Sequence, residues 1–143
     1  MELRIAETEA EIAACHAVMR ELRTQLTERE FFTRVQAQEA DGYRLLMGED
    51  EGRVVAVAGF RIGRNLAWGH FLYVDDLVTA AALRSRGYGT GMLAWLRRYA
   101  VDQGCGELHL DSGLQRTAAH RFYEREGMVK ASYHFVERLP AGG

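Results

Sequence analysis

Between Tyr73 and Leu96 the chain reads YVDDLVTAAALRSRGYGTGMLAWL. An apolar run ends in two carboxylates and Leu77-Val78. A short link follows, then Arg84, Arg86 and glycines at 87, 89 and 91, and then helical periodicity. Glycines at alternate positions between a strand and a helix let the backbone approach another group closely, with the free N–H groups of the helix start pointing outward. The positive end of the helix dipole and two arginines favour a phosphate or pyrophosphate there. Two common phosphate sites are excluded. No Gly-Lys-Ser/Thr follows, so this is not a P-loop. A dinucleotide fingerprint needs a third glycine where Met92 stands.

The stretch does match Arg/Gln-x-x-Gly-x-Gly/Ala, as Arg84-Ser85-Arg86-Gly87-Tyr88-Gly89, with a strand ending in Leu-Val before it and Leu93 and Leu96 after it. It resembles the acetyl-CoA-binding motif of the GCN5-related N-acetyltransferase superfamily. A second segment, Ala119-His120-Arg121-Phe122-Tyr123-Glu124-Arg125-Glu126-Gly127-Met128, is similar to the superfamily's Ala-x-x-Phe/Leu-Tyr-x-x-x-Gly-Phe, with Met128 in place of Phe. The resemblance covers residues 67–128 firmly and the flanks more loosely.

The chain length of 143 residues suits one domain, taken as 1–143, with a real core. Hydrophobic content of 48% and charged content of 27% fit a globular protein in water. A net charge of −2 gives no broad basic surface for nucleic acid. No apolar run reaches membrane-spanning length and the N-terminus has no signal-peptide core, so a cytoplasmic location is expected. Cys15 and Cys105 form no CxxC pair and are read as reduced. The five histidines lack metal-ligand spacing, so no metal is expected.

In chain order, Leu3–Ala6 predicts a strand. Thr8 with Glu11 and Thr27 with Glu30 are capping boxes that open two helices. Ile12, Cys15, Met19, Leu22 and Leu26 mark the buried face of the first helix. Phe31, Phe32 and Val35 mark that of the second, which Gly42 closes. The resemblance implies that this segment covers the acceptor site, which makes Phe31 and Phe32 candidates for its pocket, with core packing the better reading for at least one of them. Strands are predicted over Tyr43–Gly48, Arg53–Ile62 and Ala67–Val78, joined by tight turns into an antiparallel meander. A helix over Thr90–Asp102 leads to a strand at Glu107–Leu110, parallel to Ala67–Val78 because the connection is helical. A helix over Thr117–Glu126, a strand-like Met128–Leu139 and a tail from Pro140 to Gly143 complete the chain. This is a mixed α/β order. By resemblance it implies a mostly antiparallel, twisted sheet of six to seven strands with about four helices, splayed at the acetyl-CoA site.

The resemblance also implies roles. The loop from Arg84 through Ser85, Arg86, Gly87, Tyr88, Gly89 and Thr90 to Gly91 would hold the cofactor phosphates. Leu77, Val78 and Thr79 would pair with the pantetheine arm. Tyr123 would act as general acid on the leaving thiolate, as a phenol of reference pKa about 10 can. Many members carry an Asn three residues before the Ala of the second motif. Here Arg116 stands there, beside Gln115, so that either Arg116 or Gln115 takes its place as a cofactor contact or the contact is absent.

An amine acceptor arrives protonated and must lose a proton before attack. Asp75 is the favoured base and Asp76 the next. Successive strand residues face opposite sides, so the two are not expected to share one site unless a bulge intervenes. Trp68, Tyr73 and His134 are candidates for the acceptor wall or for plain structural roles. The expected function is transfer of an acetyl group from acetyl-CoA to a primary amine by direct attack. The alternatives are another acyl donor or acceptor, or a non-catalytic acyl-CoA-binding module. A small-molecule or peptide amine is the expected partner, and an exposed edge on the last strand leaves a homodimer open.

Overall fold

A computed structural model describes residues 1–140. It consists of two compact units, the first ending at Leu110 and the second beginning at Asp111. In the first unit the elements are β1 (Glu2–Ile5), α1 (Glu9–Met19), α2 (Glu28–Glu39), β2 (Arg44–Asp50), β3 (Arg53–Asn65), β4 (Gly69–Thr79), a 3-10 turn (Ala81–Leu83), α3 (Tyr88–Asp102) and β5 (Glu107–Leu110). The second unit carries α4 (Thr117–Arg125).

Both capping boxes form. Thr8 Oγ1 accepts from the Glu11 N–H at 3.1 Å while Glu11 returns a bond to the Thr8 N–H, also 3.1 Å. Thr27 and Glu30 repeat the arrangement. Helix α1 is shorter than its apolar spacing predicts, since it stops at Met19. The Leu22 and Arg23 N–H groups both turn back to the Met19 carbonyl. Leu22 and Leu26 still pack on the core, but from a loop. The His16 ring N–H fastens that loop by donating to the Leu26 carbonyl at 2.8 Å.

The sheet order is β1-β2-β3-β4-β5, antiparallel except for the parallel pair β4–β5. Glu51 and Gly52, both at positive φ, make the β2–β3 turn. On one face α1 and α2 cover Leu45, Met47, Val57 and Val78, together with Ile12, Met19, Phe31 and Val35. On the other, α3 packs on β3, β4 and β5, with Phe60 edge-on to Trp95 and Tyr99. Each such buried side chain contributes about 1.5–3 kcal/mol, which is why the near-continuous apolar run of β3 sits mid-sheet.

The strand count is five among the described residues, not six to seven. The difference lies at Met128–Leu139, where no strand forms and Val129, Tyr133, Phe135 and Val136 are exposed. A strand is a property of a pair, and an apolar run supplies only one side of it. The expected tail passes outside the described residues after Pro140. Helix α3 begins two residues earlier than predicted, at Tyr88, so Gly89 and Gly91 belong to its first turn.

Candidate active site

Three features of the first unit make up the candidate site. The first is the start of α3. Gly87 is its N-cap at φ +80°, a left-handed conformation that favours glycine, and no side chain caps the helix. This contrasts with the full capping boxes of α1 and α2. A helix start without a side-chain cap suits an anion, and a Cβ at Gly87 would meet nothing within 4 Å. Ser85 also lies at positive φ (71°). The Tyr88 hydroxyl donates to Asp50 on β2, so Tyr88 offers the site its backbone and not its ring. Arg84 closes the 3-10 turn before this loop, and the charge of Arg86 acts on the Tyr88 hydroxyl and on Asp50.

The second feature is the far half of β4. Pairing with β5 runs from Phe71–Glu107 to Val74–Leu110 and then ends. Leu77, Val78 and Thr79 remain paired with β3 on one side and have no strand partner on the other among the described residues. Their open backbone groups suit an extended amide-bearing arm added like a strand.

The third is a cleft of about 280 Å³ lined on one side by Asp75 and Asp76 and on others by Met19, Arg23, Phe31, Arg34 and Tyr43. The expectation that the two aspartates face apart is overturned. Gly59 pairs with Asp76 and Phe60 with Val74, so Asp75 is an extra residue, a bulge, and strict alternation fails there. Both carboxylates therefore line one cleft. Arg61 holds Asp75 in a two-pronged bond, at 2.8 and 2.9 Å. Asp76 accepts from Arg23 Nε at 2.8 Å and from the Tyr43 hydroxyl at 2.9 Å. Arg23 also reaches the Asp75 carbonyl at 2.9 Å. Burial pushes the Tyr43 hydroxyl well above its ordinary pKa, and Asp76 adds to this, so Tyr43 remains a donor.

Arg23, Tyr43 and Arg61 were not singled out by sequence. Arg23 and Asp76 stand 53 positions apart, and no local signal links them. Phe31 lines the cleft, while Phe32 packs on the core. Trp68 and Tyr73 are not among the cleft-lining residues. Trp68 stacks on His109 and Tyr73 lies under the Arg61 guanidinium.

Arg116 and Tyr123 belong to the second unit. Burial raises the Tyr123 pKa above its ordinary value, and the positive charge of Arg116 opposes that rise. Arg116 precedes the first turn of α4, its N–H bonded to the Gly113 carbonyl at 3.0 Å. His134 lies 3.6 Å from Asp111 on exposed chain. Among the described residues no group of three His, Cys, Asp or Glu is placed to hold a metal, and no helix is long and apolar enough to cross a membrane.

The model of the acetyltransferase (GNAT) family matches residues 9–128. The uncharacterized N-acetyltransferase YhdJ of Bacillus subtilis is 35% identical over 127 residues, covering 87% of this chain and 89% of its own. An aminoalkylphosphonate N-acetyltransferase of Salmonella typhimurium is 29% identical over 98 residues, 68% of this chain and 62% of its own. Among solved structures, an aminoglycoside N-acetyltransferase in complex with CoA shares the fold at a TM-score of 0.85. It is 13% identical, over 98% of this chain and 96% of its own.

Proposed function

From the premise that this chain belongs to the acetyltransferase (GNAT) family and is an N-acetyltransferase, we propose that it moves an acetyl group from acetyl-CoA to a small primary amine, in one step within a ternary complex. The observation that carries this reading is the pairing of an uncapped, glycine-opened helix start with a cleft at the bulge of β4 that carries both carboxylates of Asp75 and Asp76.

When bound, acetyl-CoA supplies an acyl thioester open to attack by nitrogen. The residues of the chain do the rest. Arg84, Arg86 and the backbone of Ser85 through Gly91 hold the pyrophosphate. Leu77, Val78 and Thr79 hold the arm, and the Val78 N–H stabilises the carbonyl oxygen as charge develops on it. Arg116 contributes a further contact to the cofactor. Asp75 and Asp76 draw the ammonium into the cleft. Asp75 takes its proton through a water, because its carboxylate is the more exposed of the two, at 26% against 14%. The freed amine forms the C–N bond as the C–S bond breaks, and Tyr123 returns a proton to the sulfur. No covalent enzyme intermediate is required, and Cys105, flanked by two glycines, is given no part. The acceptor named for the Salmonella relative is an aminoalkylphosphonate, and the cleft of about 280 Å³ lies at the small end of ligand sites.

The test is release of CoA thiol from acetyl-CoA across a panel of small amines, with Asp75→Asn in parallel. Amine-dependent turnover that falls about 10²-fold or more in the variant, with acetyl-CoA binding intact, is the expected result. Thiol release that no amine accelerates, from protein that binds acetyl-CoA, would falsify the proposal.

A further inference from the structure

The charges of the cleft do not sum to a site for a simple cation. It is lined by two carboxylates, Asp75 and Asp76, and two guanidinium groups, Arg23 and Arg34. Three of the four are committed. Asp75 is held by Arg61, and Arg23 spends Nε on Asp76 and Nη2 on the Asp75 carbonyl. Arg34 makes no hydrogen bond or ion pair among the described residues. Its charged neighbour is Glu30, one turn earlier, whose carboxylate accepts the Thr27 N–H in the capping box.

The sequence of α2 explains the placement. Phe31, Arg34, Val35 and Gln38 stand at i, i+3, i+4 and i+7, one face of the helix, and all four line the cleft. Phe31 and Val35 are buried and form an apolar wall, while Arg34 and Gln38 are exposed beside it. One lining element, β4, thus offers negative charge, and the other, α2, offers an uncommitted fork of N–H donors. A guanidinium matches a carboxylate or a phosphonate with two parallel bonds.

We propose that the acceptor is a short zwitterion, a primary amine carrying a carboxylate or phosphonate, whose anionic end is bound by Arg34 while Asp75 and Asp76 receive the ammonium. This rests on the acetyltransferase reading of the same cleft. A diamine or polyamine would set a second cation against Arg34, and a neutral alkylamine would leave Arg34 unused. Arg34 then determines specificity and does not touch the reacting atoms.

The experiment uses four acceptors of similar length: 2-aminoethylphosphonate, 3-aminopropanoate, propylamine and 1,3-diaminopropane. Binding to the CoA-loaded protein is measured by calorimetry and acetyl transfer by thiol release, for wild type, Arg34→Gln and Arg34→Lys. At least one zwitterion is expected to bind about tenfold or more tightly than propylamine, the scale of one charge-assisted pair. That preference should collapse in Arg34→Gln and recover in part in Arg34→Lys, with an unchanged melting temperature. The better zwitterion identifies the anion. Equal or tighter binding of the diamine, or a preference that survives Arg34→Gln, would overturn the inference while leaving amine acetylation standing. Arg34-dependent zwitterion binding with no acetyl transfer to any of the four would support the anion site and count against the transferase reading instead.

Discussion

The Tyr43 hydroxyl donates to Asp76 Oδ2 at 2.9 Å directly over Gly59, joining the start of β2 to the bulge of β4. The bond exists because Gly59 has no side chain. A Cβ there would overlap the Tyr43 hydroxyl and press on the Asp76 carboxylate. Asp76, only 14% exposed, depends on that donor and on Arg23 to balance its charge.

Gly59→Ala is therefore expected to displace Tyr43 and lower stability by about 1–3 kcal/mol. Gly106→Ala is the control, because a Cβ at Gly106 meets nothing within 4 Å and its φ is ordinary. Urea midpoints measured on the two variants check this. A Gly59→Ala protein as stable as the Gly106→Ala protein would show that the contact does not hold the cleft.

Tyr123→Phe is expected to cut kcat about 10²-fold or more while leaving acetyl-CoA affinity unchanged. Burial raises the pKa of this phenol, so it keeps its proton across neutral pH, and the alkaline limb of kcat should lie above about pH 10. Arg116 opposes the rise, so Arg116→Gln should move the limb higher still. A wild-type limb near pH 8, unmoved in Arg116→Gln, would exclude Tyr123 as the acid.

Glu11 predicts part of the acid denaturation. The N–H of Glu7, the Arg4 guanidinium and the N–H of Thr8 hold its carboxyl down from 4.5 to about 2. A lowered pKa in the folded state means the unfolded chain binds more protons, so this contribution is present above pH 4.5 and is lost as pH falls toward 2. Glu11→Gln should be less stable than wild type at pH 7 and should lose less between pH 4.5 and 2. Parallel acid-limb slopes in the two proteins would refute the assignment.

The two thiols should separate by reactivity. Cys15 is fully buried between the helices and the sheet, and its pKa is raised to about 12 by burial. Cys105 is only partly buried and its pKa is raised less. A thiol-reactive reagent on the native protein should label Cys105 first, with Cys15 reacting only at the rate of opening. Mass spectrometry of the labelled peptides reads the order, and early labelling of Cys15 would contradict the packing of α1.

What could be read in the chain alone was local. Thr8 with Glu11 and Thr27 with Glu30 announce their helices because a capping box closes within four residues. Gly87 and its neighbours announce an open helix start because the backbone freedom they need is written at their own positions. The meander follows from period and turn chemistry in the same way. The positions of helix ends and strand partners were not legible in this manner. Helix α1 stops at Met19 although its apolar spacing runs on to Leu26, because the backbone turns back there and Thr27 opens a new helix. Met128–Leu139 has the composition of a strand and no strand partner among the described residues.

The acidic pair marks the boundary most clearly. Its place at the end of β4 was plain from the sequence, but alternation put its members on opposite faces. The bulge at Asp75 brings both to one cleft. Their partners, Arg23, Tyr43 and Arg61, come from a loop and two other strands' worth of chain, and nothing local joins them. Motifs whose physics closes within a turn or a hairpin were determined by the sequence. Which charges meet across the cleft was decided only by tertiary structure, because register and a single extra strand residue set which side chains share a face.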